Sequence, residues 1–357
     1  MEKDKILLIG LGQCGNQLVN EMINKNKRYA GVFINSSLGD LAKINNANSN
    51  NTFIFNGTDG AGRNRRLAQT FIQNDIMRLS TFLLKFSQFK TYVVMSSLDG
   101  GSGSGSLPLV VKTLKEKLFK NSIVNVVGVL PRLNEDNLKL QNTLDCLVEL
   151  EKVLPSINNI RFINNETRKS YVEINSEALS ELDMCYGITG KHEEDSIDLQ
   201  DSYNINTYPG YGFSLVLPDR FRSVDEAIQI AKESSVFALP NSFDCVYGAV
   251  NVKENIYNRE DLKAMIKADE TVYTTYNNNK MNIIAFAGCD MPSESIELIK
   301  LELEDRRSSK KERNVKRGFG VSLDYTINNQ STPSKPKMDV VEDEDIDDMF
   351  DADFFRF

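Results

Sequence analysis

Gly10-Leu11-Gly12-Gln13-Cys14-Gly15 follows a short apolar run and precedes an amphipathic stretch. A phosphate-binding turn needs bare backbone amides with a helix N-terminus behind them, and this spacing supplies both. A second turn, Asp99-Gly100-Gly101-Ser102-Gly103-Ser104-Gly105-Ser106, lies ahead of a helix start near Leu107-Pro108 and offers a row of amides and hydroxyls suited to a polyphosphate. A third, Gly57-Thr58-Asp59-Gly60-Ala61-Gly62-Arg63-Asn64, adds a cation. Any one of them could be an ordinary tight turn; three at one sheet edge imply a nucleoside triphosphate cradle. No Gly-x4-Gly-Lys-Ser/Thr occurs, so a P-loop NTPase is excluded. A dinucleotide enzyme would end its second strand on an acid, whereas this run ends Asn35-Ser36-Ser37, which counts against an NAD-dependent oxidoreductase.

The elements that must position these turns alternate along the first half. Apolar runs at Lys5 to Gly10, Gly31 to Asn35, Thr52 to Phe55, Thr91 to Ser96, Val124 to Leu130 and Arg161 to Ile163 are separated by helical stretches. That order predicts an α/β fold with a doubly wound sheet, its strands covered on both faces and its ligand at their carboxyl ends. A central helix is expected from Thr167 to Ile188, then a loop over 191–212 and a smaller α/β or α+β domain. In that second domain apolar runs at Phe213 to Leu217, Asp244 to Val252 and Ile283 to Cys289 alternate with helices over 223–238 and 259–270. Ser223-x-x-Glu226 has capping-box spacing. Ile296, Ile299 and Leu303 fall at helical spacing and begin a long last helix. The expected division is 1–166, 167–190, 191–292, 293–317 and a flexible acidic tail over 318–357.

The turns resemble a known family. Gly12-Gln13-Cys14-Gly15-Asn16-Gln17 is similar to the first nucleotide loop of tubulin, and Gly100-Gly101-Ser102-Gly103-Ser104-Gly105 to the tubulin/FtsZ glycine-rich signature, in the same order and spacing. The resemblance covers roughly residues 1 to 300. It implies a GTPase that binds GTP and GDP with Mg2+ and assembles head to tail into filaments. On this resemblance Gly12, Gln13, Cys14, Asn16, Asn35, Gly60, Ala61, Gly62, Arg63, Asn64 and the run from Gly100 to Gly105 touch the nucleotide. Ile163-Asn164-Asn165-Glu166 resembles the segment whose Asn reads the base, which points to Asn165. Tyr171 would stack on guanine, with Asn175 one turn later on the same helix face. Glu135 and Lys139 resemble the sugar-contacting loop, with Lys in place of the usual Arg.

Ser196-Ile197-Asp198-Leu199-Gln200-Asp201 resembles the family's Asn-x-Asp loop, with Ser196 replacing the Asn. Asp198 and Asp201 would polarise the water that attacks the γ-phosphate held by the neighbouring subunit. The alternative is an acidic exposed loop, since Glu193, Glu194 and Asp195 precede it. No magnesium ligand follows, because an acid near Asn35-Ser36-Ser37 is missing. Asp99 replaces the first glycine of the signature; beside phosphates it must turn away, meet magnesium or bond backbone amides.

Charge and composition narrow the class further. Of 357 residues 41% are hydrophobic, enough for real cores, and no Cys-x-x-Cys pair exists among five cysteines. One histidine, His192, leaves no structural zinc set and no Ser-His-Asp triad. The net charge of −8 equals that of residues 339–357, nine acids against Arg356, while 306–317 carries seven Lys/Arg and one Glu. No apolar run is long enough to span a bilayer, so a cytoplasmic protein without membrane contact is expected. The departures from the family pattern, the basic last helix and the tail are more similar to the TubZ branch of plasmid and phage DNA segregation than to cell-division FtsZ, which stays as the alternative. That branch implies a DNA-binding adaptor docked on the tail, where acids alternate with Met349, Phe350, Phe354, Phe355 and Phe357, so that nucleic acid is met only indirectly. A filament that binds GTP without hydrolysing it is a further alternative.

Overall fold

Six short runs rich in Val, Ile and Phe become parallel strands in a computed structural model that describes every residue except Thr58, 189–196, 278–280 and 317–357, and only the backbone of 310–316. The strands are β1 (Ile6–Leu11), β2 (Ala30–Asn35), β3 (Thr52–Ile54), β4 (Thr91–Ser97), β5 (Ile123–Leu130) and β6 (Asn159–Asn164). They are joined through α1 (Gly12–Lys25), α2 (Leu38–Leu41), α3 (Arg65–Leu84), α4 (Ser102–Lys112) and α5 (Asn137–Lys152). Side chains of β1 are buried along its whole length, because helices cover both faces and leave no solvent side to demand polar alternation. The order β3-β2-β1-β4-β5-β6 reverses direction at β1, so β1 and β4 lie side by side with Leu11 opposite Ser96. The crevice beyond their carboxyl ends is the ligand position of a doubly wound sheet.

Beyond β6, α6 (Tyr171–Tyr186) opens on a capping box in which Ser170 and Glu173 satisfy each other's backbone N–H groups. The box starts this helix four residues later than the sequence suggests. Then come α7 (Leu199–Thr207), β7 (Gly210–Leu217), α8 (Val224–Ser234), β8 (Cys245–Val252), α9 (Arg259–Ala264), β9 (Ala268–Tyr276), β10 (Asn282–Cys289) and α10 (Ser293–Lys316). The same sheet continues as β7-β10-β8-β9, with β7 parallel to β6 over two residues and β10 antiparallel to β7 and β8. Residues 1–310 make up one compact unit; of 311–357 only the backbone of the end of α10, to Lys316, is described.

Two segments depart from expectation. The stretch 191–212, expected as loop, contains α7, which is short and held by Ile197 and Ile205 in a core with Cys185, Ile188, Ala249, Ile283 and Ala285. The helix expected over 259–270 stops at Ala264, and Ala268 opens an edge strand whose β-branched and aromatic run Thr271-Val272-Tyr273-Thr274-Thr275-Tyr276 favours the pleated sheet. Ser223 caps α8 by accepting from Glu226 N, and that helix ends at Ser234.

Candidate functional site

The first turns of α1 and α4 meet. A Cβ on Gly12 would come 2.8 Å from the Gly103 nitrogen, and one on Gly103 would come 2.8 Å from the Leu11 carbonyl oxygen, so both positions require glycine. Gly12 also takes φ +67°, a left-handed value that an L side chain resists. Neither helix start is capped by a side chain, and neither has an acid in its first turn. By contrast α2, α3 and α5 to α9 all open with a side-chain oxygen accepting from a first-turn N–H: Ser37, Asn64, Asp136, Ser170, Asp198, Ser223 and Asn258. Two neighbouring helix ends thus leave donors and positive dipole ends open at the carboxyl edge of β1 and β4, which suits a multiply charged anion.

The other turns are built onto this pair. Gly60 N donates to Ser36 O at 2.8 Å and the Ser36 and Ser102 hydroxyls bond each other, which brings the loops after β2, β3 and β4 together. Arg63 holds φ +64°, Gly60 and Gly62 are also left-handed, Ala61 is buried, and a Cβ on Gly101 would strike the Arg63 main chain at 2.8 Å. Within α4, Ser104 Oγ turns back to Gly100 O and Gly105 N bonds Gly101 O at 3.0 Å. The Asn142 amide donates to Arg63 O at 3.0 Å, Asp99 O at 3.1 Å and Gly100 O at 3.3 Å, clamping the two turns from α5. Beneath them Arg65 binds Glu149 at 2.6 and 3.1 Å and Ser104 Oγ at 3.1 Å, while Gln69 donates to the same carboxylate at 2.9 and 3.0 Å. Buried ionic groups are tolerated when every lone pair finds a donor, as Glu149 does here. Asn142, Arg65, Gln69 and Glu149 were not found by sequence reasoning, since their partners are 39 to 84 residues away in the chain.

On the flank, Tyr171 Oη donates to Glu135 Oε1 at 2.7 Å, and Lys139 Nζ lies 2.9 Å from Glu135 and 3.4 Å from Asp99. Burial alone would raise the Glu135 carboxyl, but the Lys139 and Tyr171 hydrogen bonds hold it below the usual carboxylate range. Asp99 is thus accounted for by a cation. Arg132 covers one face of the Tyr171 ring at 4.4 Å and donates to Asn165 O at 3.0 Å, leaving the other face of the ring for a base. Asn175 lies one turn further on α6, half-buried. Two buried amide atoms at this edge, Asn35 Nδ2 and Asn165 Oδ1, have no hydrogen-bond partner among the described residues. An orphaned donor and an orphaned acceptor are costly unless a ligand meets them. Not every predicted residue points outward: the Asn16 amide is used on both sides by the Ile34 main chain at 3.2 Å. Gln13 is exposed, and burial pushes the Cys14 thiol up to about 12, with Asp99 adding to the shift, so Cys14 is a neutral neighbour of the anion site.

Asp198 and Asp201 stand apart from all of these. They form a capping box at the start of α7, Asp201 N donating to Asp198 at 2.8 Å and Asp198 N to Asp201 at 3.0 Å. Asp198 is exposed and Asp201 half-buried beside a cavity of about 420 Å³ that Glu260, Lys263 and Tyr273 also line. The surroundings of α7 are the amino ends of the strands: Asn125, near the start of β5, donates to Asn206 O at 2.8 Å, and the Met1 amine donates to Ser202 Oγ at 2.5 Å. Helix α6 runs between the two edges and its 16 residues are about 24 Å long at 1.5 Å per residue. One copy of the chain therefore does not bring its own Asp198 and Asp201 to its own glycine turns. Ser196 and Thr58, and with them the acidic tail, lie outside the described residues. Among the described residues no group of three His, Cys, Asp or Glu could hold a metal ion.

Residues 5–170 match the family described as Tubulin/FtsZ family, GTPase domain. The chain is 24% identical over 316 residues to the tubulin-like protein TubZ of Clostridium botulinum C phage, covering 87% of this chain and 86% of that one. The tail-truncated Clostridium botulinum phage c-st TubZ superposes with a TM-score of 0.78 at 21% identity, over 87% of this chain and 100% of the other. A GTPγS-form protofilament of Bacillus thuringiensis serovar israelensis TubZ gives 0.73 at 17% identity, over 88% and 94%. Residues 5–170 of the chain, which hold every glycine turn described above, are therefore a GTPase domain of the Tubulin/FtsZ family.

Proposed function

We propose that the protein is a tubulin-like filament GTPase whose hydrolytic site is composite: one copy holds GTP at the starts of α1 and α4, and the next presents Asp198 and Asp201. The observation that carries this is the separation of the open helix ends from the two carboxylates by the length of α6, in a chain whose residues 5–170 match a GTPase domain. Asn35 Nδ2 suits a phosphate or ribose oxygen. The orphaned Asn165 acceptor suits the N1–H and N2–H donors of guanine. Because donors and acceptors sit on opposite edges, the contact between copies is head to tail, the kind that builds an open filament when the rotation between copies does not close. Relatives whose structures are protofilaments support the same reading.

GTP would be bound and oriented by the amides of both helix starts, which also counter the charge that grows on the phosphates as the bond breaks. Lys139 and Glu135 would fix the sugar side, Tyr171 and Asn165 the base. Asp201 of the next copy, its carboxylate steadied by the Asp198 N–H, would hold the attacking water and accept its proton. Magnesium, when bound with the nucleotide, neutralises phosphate charge. Similarity to TubZ supports DNA segregation through an adaptor, and the acidic, aromatic composition of 339–357 supports that tail as its docking segment. A cytoplasmic location fits a chain in which no described helix is long and apolar enough to cross a membrane.

Complementation tests the composite site directly. Gln13→Asp, which occupies the anion position, and Asp201→Asn, which removes the base, should each be nearly inactive alone. Mixed, they should regain phosphate release, because the Asp201→Asn copy binds GTP and its neighbour supplies an intact pair. Absence of any recovery in a mixture that still co-sediments would overturn the reading.

A further inference from the structure

We propose that Arg306 of α10 is a positioning residue of the nucleotide site, fixing the main chain of the loop that carries Glu135. The carbonyls of Leu133 and Glu135 lie in residues 131–136, between β5 and α5 and outside any helix or strand, so their partners must come from elsewhere. Arg306 supplies them: Nη2 donates to Leu133 O and Nη1 to Glu135 O, each at 2.5 Å, and Nη1 lies 3.5 Å from Asn137 Oδ1. The remaining edge of the guanidinium is aimed by Glu302, one turn earlier on α10, which accepts from Nε at 2.6 Å. A planar fork holds two carbonyls two residues apart with donors of fixed direction, whereas the rotatable donors of an ammonium fix neither. Helix α10 is itself anchored, with Ile299 and Leu303 buried and Arg307 donating to Gln141 Oε1 at 2.6 Å.

Glu135, the side chain this loop brings to the site, makes its own contacts away from α10. Glu135 accepts from Tyr171 and pairs with Lys139, which reaches Asp99 of the glycine-rich turn. Three polar links thus run from the last helix to the phosphate edge, through residues more than 160 positions apart in the chain. The consequence is that whatever displaces α10 loosens Glu135, Lys139 and Tyr171 together. Nucleotide affinity then depends on a helix that touches none of the nucleotide. The inference rests on the nucleotide reading above.

Calorimetric titration with GDP, at protein concentrations below those that assemble, tests it. Arg306→Ala should bind about tenfold more weakly, Arg306→Lys should recover only part of the loss, and Lys300→Ala, exposed on the same helix, should match the parent chain. At saturating GTP the turnover per bound nucleotide should be unchanged, so that KM moves and kcat does not. A folded Arg306→Ala that binds GDP like the parent overturns the proposal. A parent chain that binds no GDP overturns the nucleotide reading as well, which is a different result. Should Arg306→Ala fail to fold, hydrogen exchange on the parent chain decides: GDP must protect 132–136 and 302–307 together, and protection of the loop alone is a refutation.

Discussion

The helices that begin at Gly12 and Ser102 and the helix that begins at Leu199 meet the same difficulty, four backbone N–H groups without intrahelical acceptors, and resolve it in opposite ways. At α7 the chain supplies its own acceptors, and the Asp198 and Asp201 oxygens close the donors of their own turn. At α1 and α4 it supplies none and packs glycine where an acceptor would otherwise stand. One edge of the sheet is therefore short of negative charge and the other has it in excess. On the proposed reading the pairing that satisfies both lies between copies, and the sequence that leaves a helix start incomplete would also leave the monomer incomplete as an enzyme.

Converting one kind of start into the other gives the largest expected effect. Gln13→Asp places a carboxylate in the exposed first turn of α1. It should stabilise the nucleotide-free protein by about 0.3–1 kcal/mol through the helix dipole while weakening GTP binding by roughly 100-fold or more, since an anion now sits where phosphate would. Thermal melting and calorimetry on the same sample would check both; a variant that binds GTP normally would break the contrast between the two edges.

At the opposite edge the effect should be smaller and of another kind. Asp201→Asn keeps an acceptor for the Asp198 N–H, so the capping box survives, but it removes the base. GTP should bind as before and turnover should fall on the order of 10²–10⁴-fold, the usual contribution of a positioned proton acceptor. Filaments formed by this variant with GTP should persist, and sedimentation alongside phosphate release would show it. Normal turnover would sink the role of α7.

How much of this contrast is legible in the sequence follows from how local each feature is. Continuous apolar runs that lead into glycine-rich turns mark β1 and β4 because both faces of those strands are covered, and the small residues that follow need no distant partner to be recognised. Helix α7 is not legible as a helix, because only Ile197 and Ile205 tie it to a core and its remaining residues are largely polar. The Asp198-x-x-Asp201 spacing does encode its start, as a box built of two aspartates. Strand β9 lies at the sheet edge with only Thr274 and Thr275 buried, so period-two burial is absent. Asn142 and Arg306 leave no local trace at all. Each is an isolated polar residue whose meaning depends on carbonyls that the fold carries to it from elsewhere in the chain.

Between the two edges runs α6, and its interior holds a charge problem that gives the smallest of these effects. Glu181 is fully buried there, accepting from Ser214 Oγ at 2.7 Å, and burial pushes its carboxyl up to about 8, against weaker opposing pulls from that bond, Lys169 and Arg161. A carboxyl raised on folding binds its proton more tightly in the native state. Its contribution is complete below the ordinary glutamate range and is lost as pH climbs towards 8, by at most ~1.4 kcal/mol per pH unit. Glu181→Gln keeps the acceptor for Ser214 and cannot ionise. It should therefore melt close to the parent chain at pH 5 and above it at pH 8. Parallel melting curves for parent and Glu181→Gln across pH 5–8 would mean that Glu181 ionises freely, and that the helix joining the two edges has more access to water than its packing allows.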